Sequence, residues 1–420
     1  MSWSSLINRA EKLLGGPPPF INLGTTLTSE AGFLAARAKR LAASVEHPFF
    51  GAVRSCLQGK SVGSTFLPMN TKLIPSFSPT TSQRASGGLV ILLIGQCYAG
   101  SAIRSSKLCN QHRTLAEIFE TVHLAFTLHK SISNPHTSAG DTQGADVEAH
   151  VTSKDFESVN KVATLAGDIL LASVSTALAG LHNSQIVDIV SKSIGDMCEA
   201  EFSSLALQFR HGQSSTAGRR RDDSVNSSSP PNLWRQYVGL SHGSILGACC
   251  QSTVMLNDSH PSPNFVKGTE VPCDDISRTP TNAYRLGHQW AIVARLLEEK
   301  ASARRFLNKT NVKPGDVPCY TSEYIVNGLP EPTLMDASLT RQPSVQCSRP
   351  CSCHSSVYAM EYDHLGLALA DELLTSFTRF RDSLPDILFK DKISSLAIDT
   401  LGEMIHLLAS EVRVPTIEHV

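Results

Sequence analysis

The chain lacks an excess of charge of either sign. Its 37 Lys+Arg stand against 38 Asp+Glu, a formal net charge of −1. A strongly basic nucleic-acid binder is thereby excluded, because phosphate binding needs surplus cations to displace counterions. Charged residues of both signs are few, at 18 % against about 25 % in an average soluble domain. Long uncharged apolar runs are missing as well. The strongest, Gly87 to Gly95, is far short of the roughly 20 residues a bilayer requires. The longer segment from Lys161 to Leu181 is interrupted by Lys161 and Asp168, and it reads as a buried helix. Regular cysteine spacing is also absent. Eleven cysteines, an odd number without a secretory signal, point to free thiols in a reducing compartment. The opening MSWSSLINRAEKLLGG starts an amphipathic pattern at once, and is too short and too mixed for a transit peptide.

What is present is apolar residue in quantity, 41 % of 420 residues, which excludes a fully disordered chain. The length would allow two or three domains; the pattern predicts one helical domain over 1–420. Strand alternation is scarce and helical periodicity dominates. Thr114 and Glu117 have capping-box spacing, followed by a stripe of Leu115, Ile118, Phe119, Val122, Ala125 and Phe126, with His129 continuing it and Glu117, Glu120 and Lys130 off it. Further helices are predicted at Asn160 to Leu181, Gln185 to Leu207 (Ile186, Ile189, Val190, Met197, Phe202), Trp234 to Met255 and Tyr284 to Leu297. A closing helix carries Ile393, Leu396, Ala397, Leu401, Ile405 and Leu408. The fold class is all-α. Five Ser/Pro/Thr/Gly-rich stretches, 60–86, 135–158, 211–231, 259–281 and 308–356, are expected to be surface insertions, because loops of that length rarely lie within a compact core.

Four helical stretches carry a recognisable pattern: LAEIFETVHLAFTLHKSIS from Leu115, NKVATLAGDILLA from Asn160, LSHGSILGACC from Leu240 and AYRLGHQWAIVARLLEE from Ala283. In order and content they resemble the trans-polyprenyl diphosphate synthase family, and within it the second subunit of the heteromeric decaprenyl-type enzymes. The resemblance covers a little under half the chain and implies an isoprenoid-synthase-type helical bundle. It also implies chemistry in which aspartates on two facing helices hold Mg²⁺ against an allylic diphosphate, which ionises and is attacked by isopentenyl diphosphate. Magnesium demands oxygen ligands in near-octahedral geometry. An Asp-Asp-x-x-Asp run on a helix puts its first and last carboxylates on one face.

The residues that would do this are replaced here. The family's first motif, His-Asp-Asp-x-x-Asp, reads His129, Lys130, Ser131, Ile132, Ser133, Asn134, with no carboxylate. At the second motif stand Glu298, Glu299 and Ser302, read as a solvated helix end. The Gly-Lys-x-x-Arg diphosphate-binding run reads Ser82, Gln83, Arg84, Ala85, Ser86, and the Lys-Thr pair reads Ser241 and His242. Asn160, Lys161, Asp168 and Glu201 fall on family positions, which fits a kept scaffold. Asp222, Asp223 and Asn226 follow Arg219, Arg220 and Arg221 in a loop, as a self-neutralised solvated run. Asp274 and Asp275 lie in another loop. Cys347, Cys351, Cys353 and His354 lack the two spaced pairs of a tetrahedral zinc cage. Cys249 and Cys250 are expected only to pack, and His129 to be a hydrogen-bonded core histidine.

No catalytic, substrate-binding or metal residue is therefore assigned. The expectation is a non-catalytic or weakly catalytic subunit that binds no cofactor itself. Its partner, carrying intact aspartate motifs and Mg²⁺, would elongate an allylic primer for the ubiquinone side chain. By resemblance the location is mitochondrial, with no transmembrane segment and no nucleic-acid partner. Two alternatives are a self-sufficient prenyltransferase using Glu298, Glu299 and a further, unrecognised acid, and a helical adaptor unrelated to isoprenoids.

Overall fold

The computed structural model describes residues 2–15, 87–99, 106–132, 153–213, 230–258, 278–310 and 352–415. Every regular element among them is helical: α1 (Trp3–Leu14), α2 (Gly87–Ala99), α3 (Ser106–Lys130), α4 (Ser153–Gly180), α5 (Ser184–Gln213), α6 (Pro230–Val238), a π-helical turn (Gly239–Gly243), α7 (Ser244–Asp258), α8 (Arg278–Thr310), α9 (Ser352–Asp382), α10 (Asp386–Lys390) and α11 (Lys392–Arg413). The all-α reading holds. Four of the expected insertions are shorter at their edges than the composition suggests. Helix α4 already begins at Ser153, α5 runs to Gln213, α6 begins at Pro230, and α8 covers Arg278 to Thr310. α9 likewise starts at Ser352. Ser, Thr and Pro are tolerated in the first turn of a helix, where the backbone N–H groups have no internal acceptor.

Helices α2 and α7 form the centre. α2, GGLVILLIGQCYA, is apolar on every side and almost wholly buried, the expected state of a helix without a polar face. It packs against α1, α3, α7 and α11, while α7 lies between α2, α3, α5 and α8. α7 and α8 approach closely because Gly247 and Gly287 face one another's helices. A Cβ on Gly247 would stand 2.9 Å from the backbone oxygen of Tyr284, and one on Gly287 would stand 3.0 Å from that of Leu246.

Helices α1 and α11 are tied to one another at this core. Trp3 Nε1 donates to Glu411 at 2.7 Å, its ring lies edge-on to Trp290 at 6.5 Å, and Arg9 pairs with Glu403. Lys300, only 4 % exposed, pairs with Asp363 at 2.7 Å and donates to the carbonyl oxygens of Val412 and Val414. A cation there complements the negative end of α11 and joins α8, α9 and α11.

Three details differ from the sequence reading. Thr114 lies inside α3, which starts eight residues earlier, and its hydroxyl donates to the Asn110 carbonyl rather than capping. Glu120 is buried and accepts from the Gly88 backbone N–H at the start of α2. Helix α4 is not a buried helix. Val159, Ala163, Gly167, Leu170, Val174, Leu178 and Leu181 form one buried stripe along α3, while Leu165 and Ile169 are exposed. By length and composition Glu157–Gly180 could cross a membrane, and 33 % of its most apolar 18-residue window is buried in this fold.

Candidate functional site

The end of α3 decides the character of the site. Lys130 Nζ lies 2.6 Å from Glu201 Oε1 of α5, and Tyr237 of α6 donates to the same oxygen at 3.1 Å. Lys130 also reaches the Tyr237 hydroxyl at 3.4 Å and stands 5.9 Å from its ring centre. Partial burial works against the charged ammonium, but Tyr237 and Glu201 outweigh it and raise the lysine pKa above its ordinary value. Three helices thus meet on one ion pair.

One residue earlier, His129 Nε2 is 3.2 Å from the Thr164 carbonyl and 3.4 Å from Asp168 of α4. It is partly exposed, a joint between α3 and α4 rather than a core residue. Gly167 permits the contact, since a Cβ there would come within 2.1 Å of His129 Nε2. Asp168 and Glu201, the two acids expected at family positions, are both engaged in ties to α3.

Across the bundle, Glu298 and Glu299 are not a solvated helix end. Helix α8 continues to Thr310, and both carboxylates are about nine-tenths buried. Arg295 pairs with Glu299 at 2.8 Å and with Glu298 at 3.8 Å, and Trp234 Nε1 donates to Glu299 at 2.8 Å. Burial raises the Glu299 pKa, opposed by Arg295 and the Trp234 hydrogen bond. Arg295 could have been found from spacing, because it precedes the two glutamates by three and four residues. Tyr237 and Trp234 carry no such signal; they join the site only because α6 lies between α5 and α8.

The Ser241–His242 pair sits in the π-helical turn between α6 and α7, a local widening that often marks functional positions. Here both side chains are buried, and the His242 ring lies 5.6 Å from His123, itself 4.5 Å from Phe119. Burial lowers the pKa of His123 to about 3, helped by Lys130. Burial also drives His242 well below its ordinary value, with Arg295, His123 and Lys130 adding to the effect. Both rings are therefore neutral at pH 7.

This arrangement does not fit a bound magnesium ion. An ammonium occupies the position next to Glu201, and the α8 glutamates are neutralised by Arg295. Among the described residues, no group of three or more His, Cys, Asp or Glu is placed to hold a metal. Cys249 and Cys250 are buried in α7, where burial pushes the Cys249 thiol up to about 12. Cys353 and His354 lie in the first turn of α9. Residues 82–86, Ser133, Asn134, Arg219 to Asn226, Asp274, Asp275, Cys347, Cys351 and the Ser302 side chain lie outside the described residues.

Over 264 residues the chain is 25 % identical to the All trans-polyprenyl-diphosphate synthase PDSS2 of Homo sapiens, covering 60 % of this chain and 55 % of that protein. The similarity is to polyprenyl diphosphate synthases. The Mus musculus counterpart is 27 % identical over 263 residues, with the same coverage of both chains. The mitochondrial hexaprenyl pyrophosphate synthase of Saccharomyces cerevisiae is 35 % identical over 96 residues, 23 % of this chain and 18 % of that one. The chain spans about half the length of the first two relatives. No family model matches it. Among solved structures, the heptaprenyl diphosphate synthase of Staphylococcus aureus overlays with a TM-score of 0.46 at 13 % identity, covering 96 % of this chain and 98 % of that one.

Proposed function

We propose that this chain is a non-catalytic or weakly catalytic subunit of a heteromeric polyprenyl diphosphate synthase of the decaprenyl type, within an isoprenoid-synthase-type fold. The observation that carries this reading is the Lys130–Glu201 ion pair. Where a metal-dependent prenyltransferase needs converging oxygen ligands, a tethered ammonium already satisfies the nearby carboxylate. A dication at the same carboxylate would face that ammonium at contact range. The partner subunit supplies the aspartate motifs and Mg²⁺, and the assembly condenses an allylic primer with isopentenyl diphosphate for the ubiquinone side chain. Its location is mitochondrial, on the strength of the mitochondrial hexaprenyl pyrophosphate synthases among its relatives.

The exposed side of α4 supports the heteromer. Leu165 and Ile169 lie one turn apart with 43 % and 39 % of their surface open, an apolar strip that association would bury. Phe202 on α5 is 72 % exposed, outside the core stripe in which the sequence pattern includes it.

The test is purification of the chain alone and with a candidate catalytic subunit, each assayed with Mg²⁺, an allylic primer and isopentenyl diphosphate. Turnover is expected only from the pair. Robust turnover by this chain alone overturns the reading.

A further inference from the structure

The corner formed by α10 and the start of α11 lies outside the site described above. Helix α10, DILFK, is five residues long and contains no buried residue. Leu388 turns inward and packs on the core, while Ile387 and Phe389 on either side of it are 54 % and 41 % exposed. Leu396, one turn along α11 from Lys392, is 38 % exposed. Single exposed apolar residues are ordinary on a protein surface; two large ones within one five-residue helix, with a third in the first turns of the next, are not.

The charges around them select the occupant. Lys390 and Lys392 are both exposed and have no ion-pair partner among the described residues. The neighbouring acids are largely committed elsewhere: Asp391 accepts from the Ser394 backbone N–H as the cap of α11, and Asp382 pairs with Arg381. Asp386 is exposed beside the lysines, and Asp382 is exposed within its pair with Arg381. Exposed large apolar side chains followed in the chain by two exposed lysines match the boundary of an anionic bilayer. There the apolar groups enter the acyl region and the ammonium groups meet the headgroups.

We propose that the α10–α11 corner is a lipid-contact site that seats the protein on an anionic membrane surface. The site is distinct from the outward strip of α4, so its test is separate from that of the heteromer. The full chain is sedimented with vesicles of phosphatidylcholine alone and of equimolar phosphatidylcholine and phosphatidylserine. Binding is expected with the anionic vesicles, weaker at high salt and weaker still on phosphatidylcholine alone. The variants I387S/F389S and K390E/K392E should each lower binding by about tenfold or more, since each removes one of the two contributions. In the variant Phe389→Trp, tryptophan emission should shift to the blue when anionic vesicles are added; this readout decides the matter if a double variant fails to fold. Absence of wild-type binding, unchanged binding in both double variants, or no spectral shift overturns the proposal. So does concentration-dependent self-association of the wild type that I387S/F389S abolishes, which would assign the corner to a second copy.

Discussion

Arg295 shows how much one side chain can decide. It sits among two carboxylates, an indole N–H and a tyrosine, all largely buried. Removing a buried cation leaves its partners charged without a counter-ion. Arg295→Met should therefore destabilise the fold by about 3–5 kcal/mol, read from urea unfolding, and the double variant R295M/E299Q should recover part of that loss. Lys130 is more exposed, so solvent screens its pair with Glu201. Lys130→Asp should lower stability slightly, by placing a second carboxylate against Glu201. It should not create prenyl transfer, because the other motif carboxylates are still absent; recovered turnover in that variant would show the motif alignment to be misplaced.

The buried histidines make stability depend on pH. His112 is lowered to about 4 and His123 to about 3, both chiefly by burial, and His242 is lowered as well. A histidine whose folded pKa is depressed adds stability that is present above the unfolded value of 6.5 and lost as pH falls toward the folded one. Each should contribute a slope of about 1.4 kcal/mol per pH unit within that window. Glu299, with its raised pKa, acts in the opposite sense: its contribution is present below 4.5 and lost as pH rises through the folded value. Thermal midpoints should fall as the pH drops below 6.5. His112→Asn should fall less steeply.

At the scale of elements, close approach of helices is set by glycines whose replacements are not equivalent. Gly247 faces a backbone oxygen of α8, which cannot step aside without moving the helix. Gly247→Ala should cost about 1–3 kcal/mol in chemical unfolding. Gly167 faces only the ring of His129, a partly exposed side chain able to swing outward. Gly167→Ala should cost less, and His129→Ala in the same chain should relieve most of it. Helix α4 teaches a related point. Its composition is apolar on nearly every side, yet burial follows one stripe because α3 covers only one side of it.

At the scale of the molecule, that uncovered side predicts assembly without a stability cost to the lone chain. Leu165→Arg with Ile169→Arg should abolish co-purification with a catalytic subunit and leave the thermal midpoint of the isolated chain almost unchanged, since both side chains already face solvent. A drop in midpoint would mean that α4 is covered within this chain.

The letters alone settled the helical class and the order of the main helices, because an apolar period of 3.6 is a local property of neighbouring residues. Which acids the chain carries, and at which positions, is likewise a matter of residue identity. Where Glu298 and Glu299 point, what Lys130 meets, and which side of α4 is left open were decided by tertiary packing. Each depends on helices distant in sequence arriving at the same place, and no window of residues encodes that.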